Sequence, residues 1–138
     1  MLFRSGALLT TAGTGLHGRG KVAIRDKKNA GGDAGPARRV GLLSEPVRLV
    51  KGWFADTVPT APIERIAVLR LDGDLYESTI QVLEGFYPRL SPGGFCIIDD
   101  YGAMLSCRAA VEDFRRERGV GEPLVNIDGK GVLWEKVG

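Results

Sequence analysis

From residue 47 onward, apolar and polar positions follow two periods, one of about two residues and one of about 3.6. Val47-Arg48-Leu49-Val50-Lys51-Gly52 alternates and predicts a short strand. Trp53 and Phe54 stand at its end, and Asp56 and Pro59 then predict a loop or a single helical turn. Ile63 to Leu71 predicts a stronger strand, whose run Ile66-Ala67-Val68-Leu69 suits burial on both faces, as in a parallel sheet. Over Leu75 to Leu90 the period changes: Leu75, Thr79, Val82, Leu83, Phe86 and Leu90 share one helical stripe. Pro92-Gly93-Gly94 predicts a turn and Phe95 to Ile98 the next buried strand. A second helix is expected from Cys107 to about Arg118, capped by Ser106, with Cys107, Ala110, Val111 and Phe114 inward and Gly119 ending it. Leu124 to Ile127 and Val132 to Lys136 predict two strands joined at Asp128-Gly129-Lys130-Gly131 as an antiparallel hairpin. The order β, β, α, β, α, β, β is that of an α/β domain.

Residues 1–39 differ in kind. They hold eight Lys and Arg against two Asp, whereas residues 40–138 hold eleven against fifteen Asp and Glu. This Gly-rich basic leader shows no sustained apolar period and is expected to be disordered. Ala12-Gly13-Thr14-Gly15-Leu16-His17-Gly18 resembles a glycine loop, but without a hydrophobic strand before it and a helix after it the pattern predicts no phosphate site. Interleaved aromatics are missing from the leader, so nucleic acid is not an expected partner. No stretch is long enough to span a membrane, and Met1 to Ala12 is too short and too broken by Gly and Thr for a signal peptide. The two cysteines, Cys96 and Cys107, make no disulfide framework; reduced thiols and a cytoplasmic setting are expected.

The candidate chemistry lies in carboxylates that end apolar runs: Asp72 and Asp74 in Arg70-Leu71-Asp72-Gly73-Asp74, and Asp99-Asp100 after Phe95–Ile98. A right-handed strand–helix–strand crossover sets both strands parallel and side by side. Asp72 and Asp99-Asp100 then meet at the carboxyl edge of the sheet, where open α/β sheets bind ligands. Asp74, with Glu77 three residues on, fits a capping box and is expected to cap the following helix. Three converging carboxylates repel one another and raise one another's pKa unless a cation lies between them. With no Cys or His clustered beside them, a hard cation such as Mg²⁺ is expected rather than zinc.

Arg70-Leu71-Asp72-Gly73-Asp74-Leu75-Tyr76-Glu77-Ser78-Thr79, Leu90-Ser91-Pro92-Gly93-Gly94-Phe95 and Ile97-Ile98-Asp99-Asp100-Tyr101 closely resemble the macrocin O-methyltransferase family. Lys51-Gly52-Trp53-Phe54-Ala55-Asp56-Thr57 and Cys107-Arg108-Ala109-Ala110-Val111 do so too, and the likeness runs from about Val40 to Lys136. The resemblance implies a metal-dependent enzyme that uses S-adenosyl-L-methionine to methylate a sugar hydroxyl of a natural product, with a small-molecule glycoside as acceptor. It implies Asp72, Asp99 and Asp100 as Mg²⁺ ligands, Asp72 as general base as well, and Gly52, Trp53 and Phe54 beside the adenine of the cofactor.

The chain departs from the family in one respect. Methyltransferases of this class begin with a strand, a glycine-rich loop and a helix that cradle the cofactor, and residues 1–39 do not supply them. The expected fold is therefore a partial class I, Rossmann-like sheet over residues 40–138, lacking its first two strands: a C-terminal portion behind an unrelated leader, weak or inactive alone. An incomplete sheet also favours self-association. Three other readings stay open. A glycosyltransferase-like site could use Asp72-Gly73-Asp74 as an Asp-x-Asp motif. A phosphoacceptor receiver domain would need the acidic pair first in the chain, the reverse of the order found. A non-catalytic remnant would only associate with other chains.

Overall fold

In a computed structural model of the chain, residues 6–10, 21–25 and 47–138 are described, with side chains at Val50 and over 52–138. The elements are β1 (Gly6–Thr10), β2 (Lys21–Arg25), β3 (Val47–Lys51), α1 (Phe54–Thr60), β4 (Ile66–Asp72), α2 (Tyr76–Phe86), a 3-10 turn (Tyr87–Arg89), β5 (Leu90–Ile98), α3 (Leu105–Arg118), β6 (Val125–Asn126) and β7 (Val132–Glu135). One mixed sheet takes all seven strands in the order β3-β2-β1-β4-β5-β7-β6. β4 and β5 are parallel, joined over α2, and β7 returns antiparallel to β5, with β6 antiparallel beside it.

Two runs of the leader are described, and both are strands. Its runs Gly6–Thr10 and Lys21–Arg25 pair antiparallel with each other and fill the two places between β3 and β4. Those are the two places at which the sheet was expected to be empty. Without them the backbone groups along β4 and β3 would lie unpaired at open edges. Each run holds only three apolar side chains, too few to show a period. The direction of β1 matters: it is antiparallel to β4, with Gly6 opposite Asp72 and Thr10 opposite Val68. The chain therefore enters β1 at the carboxyl edge and leaves it at the other end. The glycine stretch 12–18 lies outside the described residues.

Alternate residues of β4, β5 and β7 (Leu69, Leu71; Cys96, Ile98; Val132, Trp134) are fully buried and share the core with Phe54, Val58, Val82, Leu83, Phe86, Val111 and Phe114 of the helices. Burial of this face fixes the register of β4 and β5 and which of their side chains point inward. Three boundaries differ from the sequence pattern. The helix expected to Leu90 ends at Phe86 and tightens into the 3-10 turn, because Pro88 cannot continue the ladder. Pro92-Gly93-Gly94 is no turn but the irregular start of β5, where the register with β4 shifts and Gly93 has φ 78°. A Cβ on Gly94 would lie 2.8 Å from the Ala67 carbonyl, so the strands close up only over glycine. Residues 54–60, expected as a loop or single turn, form α1. α3 ends on left-handed Gly119, as its position predicts.

α1 rests on α2 at Gly85, where a Cβ would come 2.1 Å from Val58 Cγ1. Ala at a helix interior is worth about 1 kcal/mol over Gly, whereas overpacking costs about 1–3 kcal/mol. At this separation the clash wins. Gly85→Ala is expected to lower the unfolding free energy by about 1–2 kcal/mol in urea titrations; a stabilised variant would show that α1 does not press on α2.

Candidate metal centre

β4 delivers Asp72 to the carboxyl edge, and Gly73-Asp74-Leu75 turns the chain into α2. Thr79, fully buried on the first turn of α2, holds this corner: its hydroxyl lies 2.9 Å from the Leu75 carbonyl and 3.1 Å from that of Gly73. A Cβ on Gly73 would crowd the same hydroxyl at 3.1 Å. Asp74 is not the helix cap. Leu75 occupies that place in an extended conformation, without a side-chain cap bond. The Asp74 side chain is buried instead beside the half-buried Asp72 and Asp100, and one oxygen from each of the three lies within 4.8 Å of the others. From the far side, Ser106 Oγ donates to the Asp74 carbonyl (2.5 Å) rather than capping α3, whose N-cap is Met104.

β5 brings the second pair. Asp99 N donates to the Leu71 carbonyl (2.9 Å), which zips the two strand ends together beside Asp72. The following loop is pinned at Gly102, whose N–H donates to the Lys130 carbonyl of the β6–β7 turn (2.7 Å). A Cβ there would strike the Gly129 carbonyl at 2.6 Å. The two acids then part company. Asp100 points into the cluster. Asp99 is held by Arg70, whose Nε lies 3.2 and 3.0 Å from its two carboxylate oxygens and whose Nη2 lies 2.9 Å from Oδ2.

The electrostatics follow from this packing. Burial, then the hydrogen bond and the charge of Asp100, then the charges of Asp99 and Asp74, push the Asp72 carboxyl up to about 7. Burial and the Asp100 charge raise Asp74 as well. Asp74 Oδ2 and Asp100 Oδ2 are buried with no hydrogen-bond partner. Orphaned carboxylate oxygens are costly to bury, and a cation among them relieves both the desolvation and the mutual repulsion. The donor set is oxygen only. Cys107, nearby, is pushed up to about 11, by burial first, and stays a neutral thiol. The residues present therefore fit a hard divalent cation.

The residues implied for the cofactor are placed otherwise. Phe54 is buried in the core as the first residue of α1, while Trp53 caps that helix with about a third of its surface exposed. Gly52 lies close under α1, where a Cβ would meet Thr57 Cγ2 at 2.5 Å. Lys51, Arg25, Gly6 and Asp72 form one row across the sheet. Three strand spacings, about 14 Å, thus separate the end of β3 from Asp72. Asp74 is the residue that the structure adds to the cluster; the Asp-x-Asp spacing was its signal, outweighed by a capping pattern that the backbone at Leu75 does not use.

The sequence profile of the Macrocin-O-methyltransferase (TylF) family matches residues 35–136. The chain belongs to that family. It is 59% identical over 96 residues to the 8-demethyl-8-(2,3-dimethoxy-alpha-L-rhamnosyl)-tetracenomycin-C 4'-O-methyltransferase of Streptomyces olivaceus, covering 70% of this chain and 36% of that protein. It is 55% identical over 98 residues to the mycinamicin III 3''-O-methyltransferase of Micromonospora griseorubida, covering 71% and 38%. Among solved structures, the O-methyltransferase NovP matches with a TM-score of 0.70 at 48% identity, over 73% of this chain and 42% of that one. The chain thus covers less than half the length of each of these relatives. Among the described residues, no helix is long and apolar enough to cross a membrane, and Cys96 and Cys107 are buried free thiols.

Proposed function

We propose that this chain carries the cation and acceptor half of a Mg²⁺- and S-adenosyl-L-methionine-dependent O-methyltransferase acting on a sugar hydroxyl of a natural product, in the cytoplasm. The observation that carries the proposal is the convergence of Asp72, Asp74 and Asp100 with two orphaned buried oxygens. Asp72 and Asp100 are cation ligands in this proposal. Asp74 is already in place as a third; Asp99, implied by the family, joins only by giving up Arg70. That pair is half exposed and worth about 1 kcal/mol at most, so the exchange is within reach. Bound there, Mg²⁺ would polarise the acceptor hydroxyl and lower its pKa. Asp72 orients that hydroxyl and, as the carboxylate beside it, accepts its proton.

The described residues fit the methyl donor less well. Phe54 is committed to the core, Trp53 lies three strands away, and β1 runs against the direction that would bring a glycine loop to the carboxyl edge. The chain alone is therefore proposed to be weak or inactive as a methyltransferase.

Calorimetry on the isolated chain is expected to show Mg²⁺ binding with little S-adenosyl-L-methionine affinity; tight cofactor binding would overturn the second half of the proposal. Asp74→Asn is expected to weaken Mg²⁺ binding about tenfold, at the lower end of what perturbing a metal shell does, and Asp99→Asn less. The reverse order would assign the third ligand to Asp99. One observation favours a second reading: Asp72 and Asp74 do point to the same place, as an Asp-x-Asp glycosyltransferase motif requires. Sugar transfer from a nucleotide sugar with Mn²⁺ would establish it.

A further inference from the structure

Three consecutive backbone carbonyls follow Asp72 in the chain, those of Gly73, Asp74 and Leu75, and hydroxyls from two helices hold them. Thr79 Oγ1 lies 3.1 Å from the Gly73 carbonyl and 2.9 Å from that of Leu75. The Thr79 amide also donates to Leu75 (3.1 Å), which leaves the hydroxyl proton for Gly73. Ser106 Oγ donates to the carbonyl between them, that of Asp74 (2.5 Å). The neighbouring strand end is held by backbone donors: Asp99 N donates to the Leu71 carbonyl (2.9 Å), and Ala103 N and Met104 N to that of Asp100 (3.1 and 2.8 Å). The carbonyls around the cluster are thus engaged, while Oδ2 of Asp74 and Oδ2 of Asp100 are buried with no hydrogen-bond partner.

Engaged carbonyls beside orphaned carboxylate oxygens discriminate between hard cations. Ca²⁺ gathers about 6–8 oxygens in a flexible shell and draws on backbone carbonyls, whereas Mg²⁺ demands near-octahedral geometry, takes one or two carboxylates and keeps several waters. For Ca²⁺ to recruit the carbonyl of Gly73 or Asp74, a hydroxyl would have to let go and the corner would have to move. Close packing opposes that movement. Thr79 is fully buried, and a Cβ on Gly73 would already meet its hydroxyl at 3.1 Å. Ser106 precedes Cys107, which is fully buried, and α3 continues into the core with Ala110 and Val111.

We propose that Ser106 and Thr79 form a hydroxyl clasp that makes the cluster selective for Mg²⁺ over Ca²⁺. The clasp holds the Gly73–Leu75 carbonyls out of the cation's shell and keeps Asp74 in one position. It rests on the proposal that Asp72, Asp74 and Asp100 bind a divalent cation, and it adds how that site tells one hard cation from another. Both hydroxyls act through the backbone of the corner, as positioning residues; neither touches the cation or the reacting oxygen.

The test is calorimetric titration of the whole chain with MgCl₂ and, separately, with CaCl₂ at pH 8. The parent is expected to bind Mg²⁺ more tightly than Ca²⁺. Ser106→Ala removes only a part-buried hydroxyl. It is expected to shift the ratio of the two dissociation constants toward Ca²⁺ by about tenfold, the lower end of what losing a group behind a metal ligand does. Thr79→Val, close to threonine in shape, is expected to shift the ratio the same way, and Ser106→Thr, which keeps the hydroxyl, to retain the parent ratio. A merely structural role would weaken both cations together as the melting temperature falls, with the ratio unchanged; that result overturns the clasp. So does a Ser106→Thr variant that behaves like Ser106→Ala. A parent chain that prefers Ca²⁺ overturns the clasp and leaves the cation site standing, whereas a parent that binds neither cation overturns both.

Discussion

Asp72→Asn is expected to cut Mg²⁺ affinity by about a hundredfold or more, and at the same time to raise the melting temperature of the cation-free chain at pH 8. Both effects have one cause. Asp72 stands at the centre of the cluster, and burial with Asp100, Asp99 and Asp74 holds its carboxyl near 7. Metal-shell changes one step further out already cost about 10–100-fold in affinity, so removing a central charged oxygen belongs at or beyond the top of that range. In the cation-free fold, the same charge is a liability. The folded pKa lies above the ordinary carboxyl value of 3.8, so the native state binds the proton more tightly than the unfolded chain does. Its stabilising contribution is complete below about pH 4 and is lost as pH rises through about 7. Thermal melts of the parent chain without cation should therefore fall in stability from pH 5 to pH 8, Mg²⁺ should restore it at pH 8, and Asp72→Asn should flatten that part of the profile. A parent chain whose stability rises over this interval, or a variant with unchanged Mg²⁺ affinity, would remove Asp72 from the centre of the site.

The second large effect is expected at Trp134, far from the carboxylates. It is fully buried on β7, donates from Nε1 to the Tyr87 hydroxyl (3.1 Å), and lies under the Arg115 guanidinium at 4.9 Å. Tyr87 in turn meets the Phe114 ring edge to face at 5.2 Å. Trp134→Ala removes the ring that joins β7, the 3-10 turn and α3 and is expected to cost about 3–5 kcal/mol. That is a large part of the 5–15 kcal/mol typical of a domain, so a substantial unfolded fraction is expected at 37 °C. Trp134→Phe keeps most of the packing and loses the hydrogen bond, about 1 kcal/mol. Urea titration of both variants separates the two contributions, and a loss under about 2 kcal/mol for Trp134→Ala would show that β7 is outside the cooperative core. The loss would also reach the site. The β6–β7 turn holds Gly102, and Gly102 anchors the loop that carries Asp100, so weaker Mg²⁺ binding should accompany milder damage such as Trp134→Phe.

How much of this was readable from residues alone depends on the range of the interaction. The strands at Val47, Ile66, Phe95 and Val132, and both long helices, follow from local periodicity, because burial of one face dictates which positions are apolar. The meeting of Asp72 with Asp100 follows too, since the handedness of a β–α–β crossover leaves one arrangement for two parallel strand ends. The division of labour among the four acids does not follow. Asp74 fits a capping pattern as well as it fits a ligand position, and only the extended backbone at Leu75 decides between them. Asp99 and Asp100 are neighbours of equal chemistry; Arg70, 29 residues away in sequence, takes one and leaves the other.

The carboxyl edge of β4 and β5, with its carboxylates and its core face, was thus set by the order and period of the residues, because short-range propensity and hydrophobic burial act on the pattern directly. The fill between β3 and β4 was decided only when the whole sheet came together. Backbone groups pair with whatever strand is at hand, and two five-residue runs too weak to declare themselves as strands complete a sheet once its open edges make pairing favourable.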